Sequence, residues 1–500
     1  MSTPSSQTTA RIGVPQVATT EPSPTRVLER RRCAPSNDTG GGQSPRTHIQ
    51  RAVPADFGEF AAARYCHACD RIPNSKIGLV TNPGTMRVNQ QRLRSDIESN
   101  AEFGAVPTDE GRGRTVLSGS EADRRAREFF CERLRDAGLS ITIDEVGNIV
   151  GRWVPESADP DAAPVATGSH LDSVPEGGIF DGPLGVYAGL ESVRAMQDAG
   201  IEPVRPVEVV NFTEEEGQRF GGGLIGSAVA VGELSVEEAL DIEDADGIPL
   251  GDALADIGYR GEGRVDAADW DAWIELHIEQ SERLEDANVP AGVVTSIVGL
   301  SRCAVEITGE ADHAGSTLMD DRSDALAAAS EFVLDVERAT TERNEVSETA
   351  VGTVGKLEVS PNAPNVIAGK VALTVDIRDV AYNSIEYVIE EAEASLDRIE
   401  AERPVEASLS HPWDRKPVEM SERCRAALHD AGTDADLETL DLHSGAGHDT
   451  MHVAAVTDAA LLFAPSRDGI SHNPREWTDW EDCADATRVL AGALADLATE

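Results

Sequence analysis

Residues 165–197 read VATGSHLDSVPEGGIFDGPLGVYAGLESVRAMQ, and residues 207–212 read VEVVNF. Val165 to Thr167 is apolar enough for a buried strand, Pro183 to Gln197 reads as a helix, and Val207 to Phe212 as a second buried strand. Strand, helix and strand in that order predict an α/β fold with a mixed sheet flanked by helices. Upstream, Leu139, Ile141 and Ile143 alternate, Gly147-Asn148 makes a turn, and Ile149 to Val154 returns. Pro155 to Pro164 is an acidic loop. Two helices precede them: Asn89 to Asn100, and Ser120 to Gly138. The second has Ser120 as cap, Asp123 at the capping-box position, one face of Ala126, Phe130, Leu134 and Ala137, and Gly138 as stop.

Downstream, residues 301–410 carry a different order. Strand Cys303 to Thr308 is followed by helix Arg322 to Thr341, strands Thr349 to Glu358 and Val371 to Arg378, helix Ser384 to Arg398, and strand Val405 to Leu409. This βαββαβ order is ferredoxin-like. Arg423 to Ala431 then reads as a helix and Thr457 to Phe463 as a buried strand. The expected arrangement is an α/β domain in two parts, residues 86–300 and 411–500, with the ferredoxin-like domain inserted between them.

Composition narrows the function. The 500 residues hold 43 Lys+Arg against 90 Asp+Glu, net −47, with only four lysines: Lys76, Lys356, Lys370 and Lys416. Such a field repels nucleic acid and anionic lipid, so neither is an expected partner. Residues 1–85 carry ten basic and six acidic side chains, net +4, leaving residues 86–500 at −51. That segment is rich in Ser, Thr, Pro, Gly and Arg and lacks sustained periodicity, so it is expected to be a disordered or non-native N-terminal extension. Its Cys66-His67-Ala68-Cys69 lacks a second ligand pair and is weak evidence for zinc. Seven scattered cysteines do not make a disulfide framework, which fits a reducing compartment. No apolar run approaches the ~18 residues of a membrane span and no signal peptide is legible, so a cytoplasmic protein is expected. Abundant carboxylates with scarce lysine suit a folded enzyme adapted to high salt.

Chemistry concentrates where predicted core segments end. His170 and Asp172 follow the first strand, at the carboxyl end where α/β folds build their sites. The alternating HxD lets a carboxylate take the imidazole's second N–H. Asp181 stands between glycines in Gly177-Gly178-Ile179-Phe180-Asp181-Gly182. Glu214, Glu215 and Glu216 follow the second strand, where packed like charges call for a cation or for solvent. In Glu275-Leu276-His277-Ile278-Glu279-Gln280 alternation puts His277 on the side of Glu275 and Glu279, and His472 lies in Gly469-Ile470-Ser471-His472-Asn473-Pro474. Three histidines and two or three carboxylates without cysteine suit a pair of divalent metals.

These runs, together with FTEEEGQRFGG, GEADHAGSTLMDDRSDA, PNVIAGKVALTVDIRD, SGAGHD and GISHNPRE, resemble the hydantoinase/carbamoylase-type amidases among the dinuclear metallopeptidases. The resemblance covers about Met86 to the C-terminus. It implies His170 and His277 as ligands of one metal, Asp181 bridging to a second, and Glu216 and His472 completing that second. It further implies Glu215 as general base, Glu214 as a spectator, and Asn365 with Arg378 as a clamp on the substrate carboxylate. The two-part α/β domain would be the catalytic domain and the inserted unit its dimerisation and lid domain; His313 would stabilise the oxyanion from the partner subunit of a homodimer, and Gln280 and His448 match positions near the site. The chain departs from the family at Leu318 and Ala368, where proline is usual. Ser301 stands where glutamine is common, a candidate ureido contact. The implied activity is hydrolysis of N-carbamoyl-L-amino acids with two Zn2+, Mn2+ or Co2+ per subunit. Allantoate and N-carbamoyl-β-alanine are alternative substrates. An aminoacylase or peptidase, and a non-catalytic binding protein on the same fold, complete the alternatives.

The acidic surface makes a prediction of its own. Activity and thermal stability should rise with salt up to molar concentrations as self-repulsion is screened. An activity maximum in dilute buffer contradicts it.

Overall fold

The computed structural model describes residues 86–500. The Cys66-to-Cys69 motif and the expected extension of residues 1–85 lie outside the described residues. Nine strands form the larger sheet. Its centre is four parallel strands, in the order Ala459–Ala464, Ala272–Ile278, Val165–His170 and Val207–Phe212. All four are buried on both faces along their whole length, as a doubly covered parallel sheet requires. The hairpin Ser140–Ile143 and Ile149–Trp153 adds antiparallel strands on one side, and Ala291–Ile297 runs antiparallel to Ala459–Ala464 on the other. Thr439–Ser444 and Val418–Glu419 extend that second side.

Alternation sorts the two faces. Ile149, Val165, Val209 and Ile274 join the core under helices Gln90–Asn100, Pro183–Ala199, Glu422–Asp434 and Trp480–Thr499. Val150, Ala166, Val210 and Trp273 face the other way, toward Ala230, Trp270 and Val453. Helix Pro183–Ala199 lies directly on the sheet because Gly185 has no side chain. A Cβ there would sit 2.2 Å from the Leu276 carbonyl oxygen and 2.8 Å from the Ser169 Cβ.

Between Ile297 and Val418 the chain builds the smaller sheet, with strand order Val351–Ser360, Lys370–Asp379, Gly299–Thr308 and Glu406–Arg415, all antiparallel. Cys303, Val305, Ile307, Leu373 and Val375 point to helices Ala325–Asn344 and Tyr382–Glu402 and form a separate core. The other face carries Leu300, Arg302, Asp376 and Arg378. The chain leaves for this sheet at Ile297 and returns at Val418, and these two residues pair with each other. Both connections to the larger sheet therefore run side by side. The fold is α/β, with a mixed sheet and an inserted βαββαβ unit.

The expected elements recur, several of them with longer bounds. The first strand continues through Gly168 and Ser169 to His170, because its polar residues find partners inside: the Ser169 hydroxyl donates to Glu275 at 2.7 Å. Ser120 caps helix Glu121–Asp136 by accepting from the Asp123 amide. Asp123 does not complete a capping box with Ser120. Its carboxylate accepts from the Gly119 N–H at 2.8 Å and pairs with Arg127 at 2.7 Å, both side chains being buried. Arg127 also donates to the Gly147 carbonyl and the Thr213 hydroxyl. That ties the helix to the hairpin turn and to the residue that precedes the three glutamates. Removing the guanidinium leaves Asp123 buried and unpaired. Arg127→Leu should therefore lose about 3–5 kcal/mol in urea unfolding at fixed salt; a loss below about 1 kcal/mol would show the pair to be dispensable.

Candidate metal centre

Four loops leave the carboxyl ends of the central strands and converge. His170 is the last residue of its strand and His277 the last but one of the neighbouring strand, and their rings lie 5.9 Å apart between centroids. Asp181 stands between them, with its Oδ1 3.2 Å from His277 Nε2 and 3.6 Å from His170 Nε2. Its Oδ2 is 3.6 Å from His472 Nε2, which in turn is 3.4 Å from Glu216 Oε2. Besides His170 with Glu215 and Glu216, two ligand groups centre on Asp181: His170 with Asp181 and His277, and Asp181 with Glu216 and His472. They share the one carboxylate. Gly182 makes the approach possible: it has φ +81°, and a Cβ there would lie 2.5 Å from His170 Cε1.

The donors suit divalent cations. Imidazole nitrogen and carboxylate oxygen are the set for zinc, manganese or cobalt. His170 Nε2 and Glu216 Oε1 are buried without any protein partner. Electrostatics points the same way. Burial, and then the Asp181 charge, pushes Glu216 up to about 8, and burial holds Glu215 well above the usual carboxylate range. Burial alone would lower His170, but Glu215 and Asp172 hold it well above the ordinary histidine value. Burial likewise opposes ionisation of Asp181, yet His277, His170 and His472 keep it below the carboxylate range. A buried cluster with more carboxylates than imidazoles is relieved by added positive charge.

The acidic run after Phe212 is folded inward. Glu214 takes a left-handed φ of +55°, and its carboxylate accepts the amides of Arg219 at 2.9 Å and Phe220 at 2.8 Å. It is 1% exposed. Expected to be a spectator, Glu214 instead closes the loop that presents its two neighbours. Asp172 also differs from the expectation. The group nearest His170 Nδ1 is the Asp172 backbone carbonyl at 3.2 Å, with the carboxylate at 3.5 Å. That carboxylate accepts the amides of Glu215 and Glu216, at 3.3 and 3.1 Å. Glu215 Oε2 then lies 3.7 Å from His170 Nε2. Glu279 leaves the row of His277 because the chain turns at Gln280, with φ +60°. Its carboxylate receives the Ser281 hydroxyl and the amides of Arg283 and Leu284.

A cavity of about 910 Å³ opens onto the cluster and is lined by Asp181, Glu215, Glu216, His277, His472 and, from the smaller sheet, Arg378. Arg378 donates to Asp376 from Nε at 2.7 Å and to the Gly445 carbonyl at 3.0 Å, reaching across from one sheet to the other. Gln280 and His448 line the same cavity. The Gln280 amide nitrogen donates to Asp181 Oδ2 at 3.0 Å. His448 is buried against His277, and burial with that neighbour keeps it neutral, well below the usual histidine value. Two further groups stand inside the GISHNPRE and SGAGHD runs, where no role was legible for them. Ser471 donates to Asp181 Oδ2 at 2.8 Å. Asp449 is fully buried, and burial beside Glu275 raises it to about 8.

Asn365 and His313 are elsewhere. His313 bridges to Val366, and the Ala314 amide donates to the Asn365 carbonyl at 3.0 Å. Both residues precede or oppose the Lys370 end of a strand whose far end holds Arg378. Eight residues of antiparallel strand span roughly 27 Å. Asn365 and Arg378 of one chain therefore do not clamp one carboxylate. Ser301 is no ureido contact either, because it is fully buried on the helix-facing side, while its neighbours Leu300 and Arg302 line the cavity.

Comparison with known proteins agrees with this geometry. Residues 166–496 match Peptidase family M20/M25/M40. The chain is 39% identical over 401 residues to the N-carbamoyl-L-amino acid amidohydrolase of Geobacillus stearothermophilus, covering 79% of this chain and 96% of that protein. It is 34% identical over 364 residues to the allantoate amidohydrolase of Bacillus subtilis, covering 72% and 87%. Among solved structures, a hydantoinase/carbamoylase-family amidase from Burkholderia multivorans superimposes with a TM-score of 0.77 at 36% identity, covering 83% of this chain and 99% of that one. Fold, ligand groups and these likenesses together establish that the chain belongs to the M20/M25/M40 peptidase family, among its hydantoinase/carbamoylase amidases.

Proposed function

We propose that the chain hydrolyses the ureido C–N bond of N-carbamoyl-L-amino acids, giving the free amino acid, carbon dioxide and ammonia. One observation carries the reading: a carboxyl outside the two groups that share Asp181, Glu215, and a guanidinium, Arg378, face one cavity that Asp181 also lines. Divalent cations, when bound by His170, His277, Asp181, Glu216 and His472, polarise a carbonyl and acidify water. Glu215 accepts the proton of the attacking water as the C–O bond forms and returns it to the nitrogen as the C–N bond breaks. Asp172 holds the Glu215 amide and so aims its carboxyl. Arg378 receives the substrate carboxylate through paired donors.

His313 serves the site of a partner subunit in this reading. Its Nδ1 accepts the amides of Gly315 and Ser316, at 3.0 and 3.1 Å, so the neutral ring carries its proton on Nε2 and presents a donor for an oxyanion. Leu318 and Met319, five and six residues after His313 on the smaller domain, are adjacent apolar side chains that are 70% and 75% exposed. Such a patch supports a homodimer formed there. Asn365 travels with His313 to the same surface. Allantoate is the second reading, favoured by the likeness to an allantoate amidohydrolase. The chain is expected to work in the cytoplasm; among the described residues no helix is long and apolar enough to cross a membrane.

Ammonia release should be measured in molar salt over N-carbamoyl-L-amino acids, allantoate and N-carbamoyl-β-alanine. The N-carbamoyl-L-amino acids should give the highest kcat/KM; a higher value for allantoate replaces the first reading with the second. In the same assay Glu215→Gln should keep its metal content and lose about 10²–10⁴-fold in kcat. Unchanged turnover removes Glu215 as base. A separate measurement concerns the dimer. Glu215→Gln and His313→Ala, each inactive alone, should regain about a quarter of wild-type activity when their subunits are exchanged, since half the dimers then hold one intact site. No recovery, with exchange verified, rules out a contribution across the interface.

A further inference from the structure

Behind the ligand cluster lie a buried guanidinium and a buried carboxyl group. Arg114 is fully buried and Glu476 is 2% exposed. Arg114 Nη2 donates to the carbonyls of Leu171 and Asp172, at 2.9 and 3.1 Å, and its own amide donates to the Gly177 carbonyl. The Asp172 carbonyl is the group that faces His170 Nδ1. It therefore takes a cationic donor on one side and the imidazole on the other. With Nδ1 donating to that carbonyl, His170 keeps its proton there, and Nε2 presents a lone pair toward Asp181.

Glu476 holds the opposite loop. Its Oε1 accepts the amides of Phe180 at 2.9 Å and Asp181 at 3.0 Å. Gly178 lets it lie that close, since a Cβ there would meet the Glu476 carboxyl at 2.2 Å. The segment carrying Glu476 is bound to the segment carrying Arg114 through the Arg112 amide and the Pro474 carbonyl at 2.7 Å. Arg114 Nε and Nη1 and Glu476 Oε2 are buried and have no hydrogen-bond partner in the protein. Burial pushes the Arg114 guanidinium down, and among the carboxylates opposing that effect Glu476 acts most strongly. The two side chains are thus coupled through charge and through the Arg112–Pro474 backbone bond rather than by a direct hydrogen bond.

We propose that Arg114 and Glu476 are a positioning pair that sets how tightly His170, Asp181 and His277 hold a cation, Arg114 through the Asp172 carbonyl and Glu476 through the Asp181 amide. The inference rests on the metal-dependent reading of the site. Outer partners of metal ligands typically govern affinity by about 10- to 100-fold.

The test uses the full chain stripped of metal and titrated with Co2+ and with Zn2+ against a chromophoric chelator. Arg114→Met should weaken uptake of one cation by about 10- to 100-fold and leave the other within a few-fold, whereas Glu476→Gln, acting through the shared Asp181, should weaken both; each should alter the visible Co2+ spectrum. The melting temperature of the metal-free protein reports folding independently. Arg114→Lys should recover part of the affinity, and the double variant should lose less than the sum of the single losses. Folded variants with wild-type affinity and spectrum overturn the pair while leaving the dinuclear reading intact. Wild-type protein that takes up no cation overturns both. Should Arg114→Met fail to fold, Glu476→Gln decides alone, because glutamine still accepts the two amides; affinity within twofold of wild type refutes the proposal.

Discussion

The Asp181 carboxylate is the point on which the rest of the site depends. It faces three imidazoles, takes hydrogen bonds from Gln280 and Ser471, and belongs to both ligand groups. A charge so placed in the interior is tolerable only where cationic or strongly donating neighbours surround it. The protein supplies them from loops at the ends of adjacent parallel strands, the one place where a doubly covered sheet can present several polar segments without exposing its core. The sheet, the glycines that let chains approach, and the internal acceptors of Ser169 and Thr450 on Glu275 all serve that convergence.

Backbone amides do much of the aiming. Asp172 accepts those of Glu215 and Glu216, Glu214 those of Arg219 and Phe220, and Glu476 those of Phe180 and Asp181. Each carboxylate thereby exchanges solvent for fixed donors, which both stabilises its charge and locks the loop that bears its neighbour. Several of the acids nearest the cluster are therefore scaffolding. In a chain with 90 acidic residues, those with structural work are recognised by burial and by the amides they accept.

The smaller sheet meets the larger one through paired connections at Ile297 and Val418 and through Arg378, whose guanidinium reaches the Gly445 carbonyl. Its open face lines the cavity while its helices guard a separate core. Arg378 and the His313–Asn365 corner occupy opposite ends of that sheet. One domain thus faces its own cleft with one end and offers the other to a second molecule.

Periodicity was enough to read the α/β class and the inserted βαββαβ unit, because buried strands and amphipathic helices are written in local residue spacing, whereas the five ligand positions came from the family resemblance. The same local spacing misled wherever a side chain chose among distant partners. Glu214 looked dispensable and Glu279 looked aligned with His277, until left-handed turns at Glu214 and Gln280 sent them to other amides. Asn365 and Arg378, thirteen residues apart in sequence, are separated by the length of a strand. Ser471 and Glu476 lie in the GISHNPRE run and Asp449 ends SGAGHD, yet no role was legible for them or for Arg114, since nothing near them in the chain announces what they touch. Sequence by itself determined which segments would be buried and what chemistry their ends could bear. Only the tertiary structure decided which carboxylates meet imidazoles, which meet amides and which stand alone, because hydrogen-bond and charge partners here are set by loops brought together from positions a hundred or more residues apart.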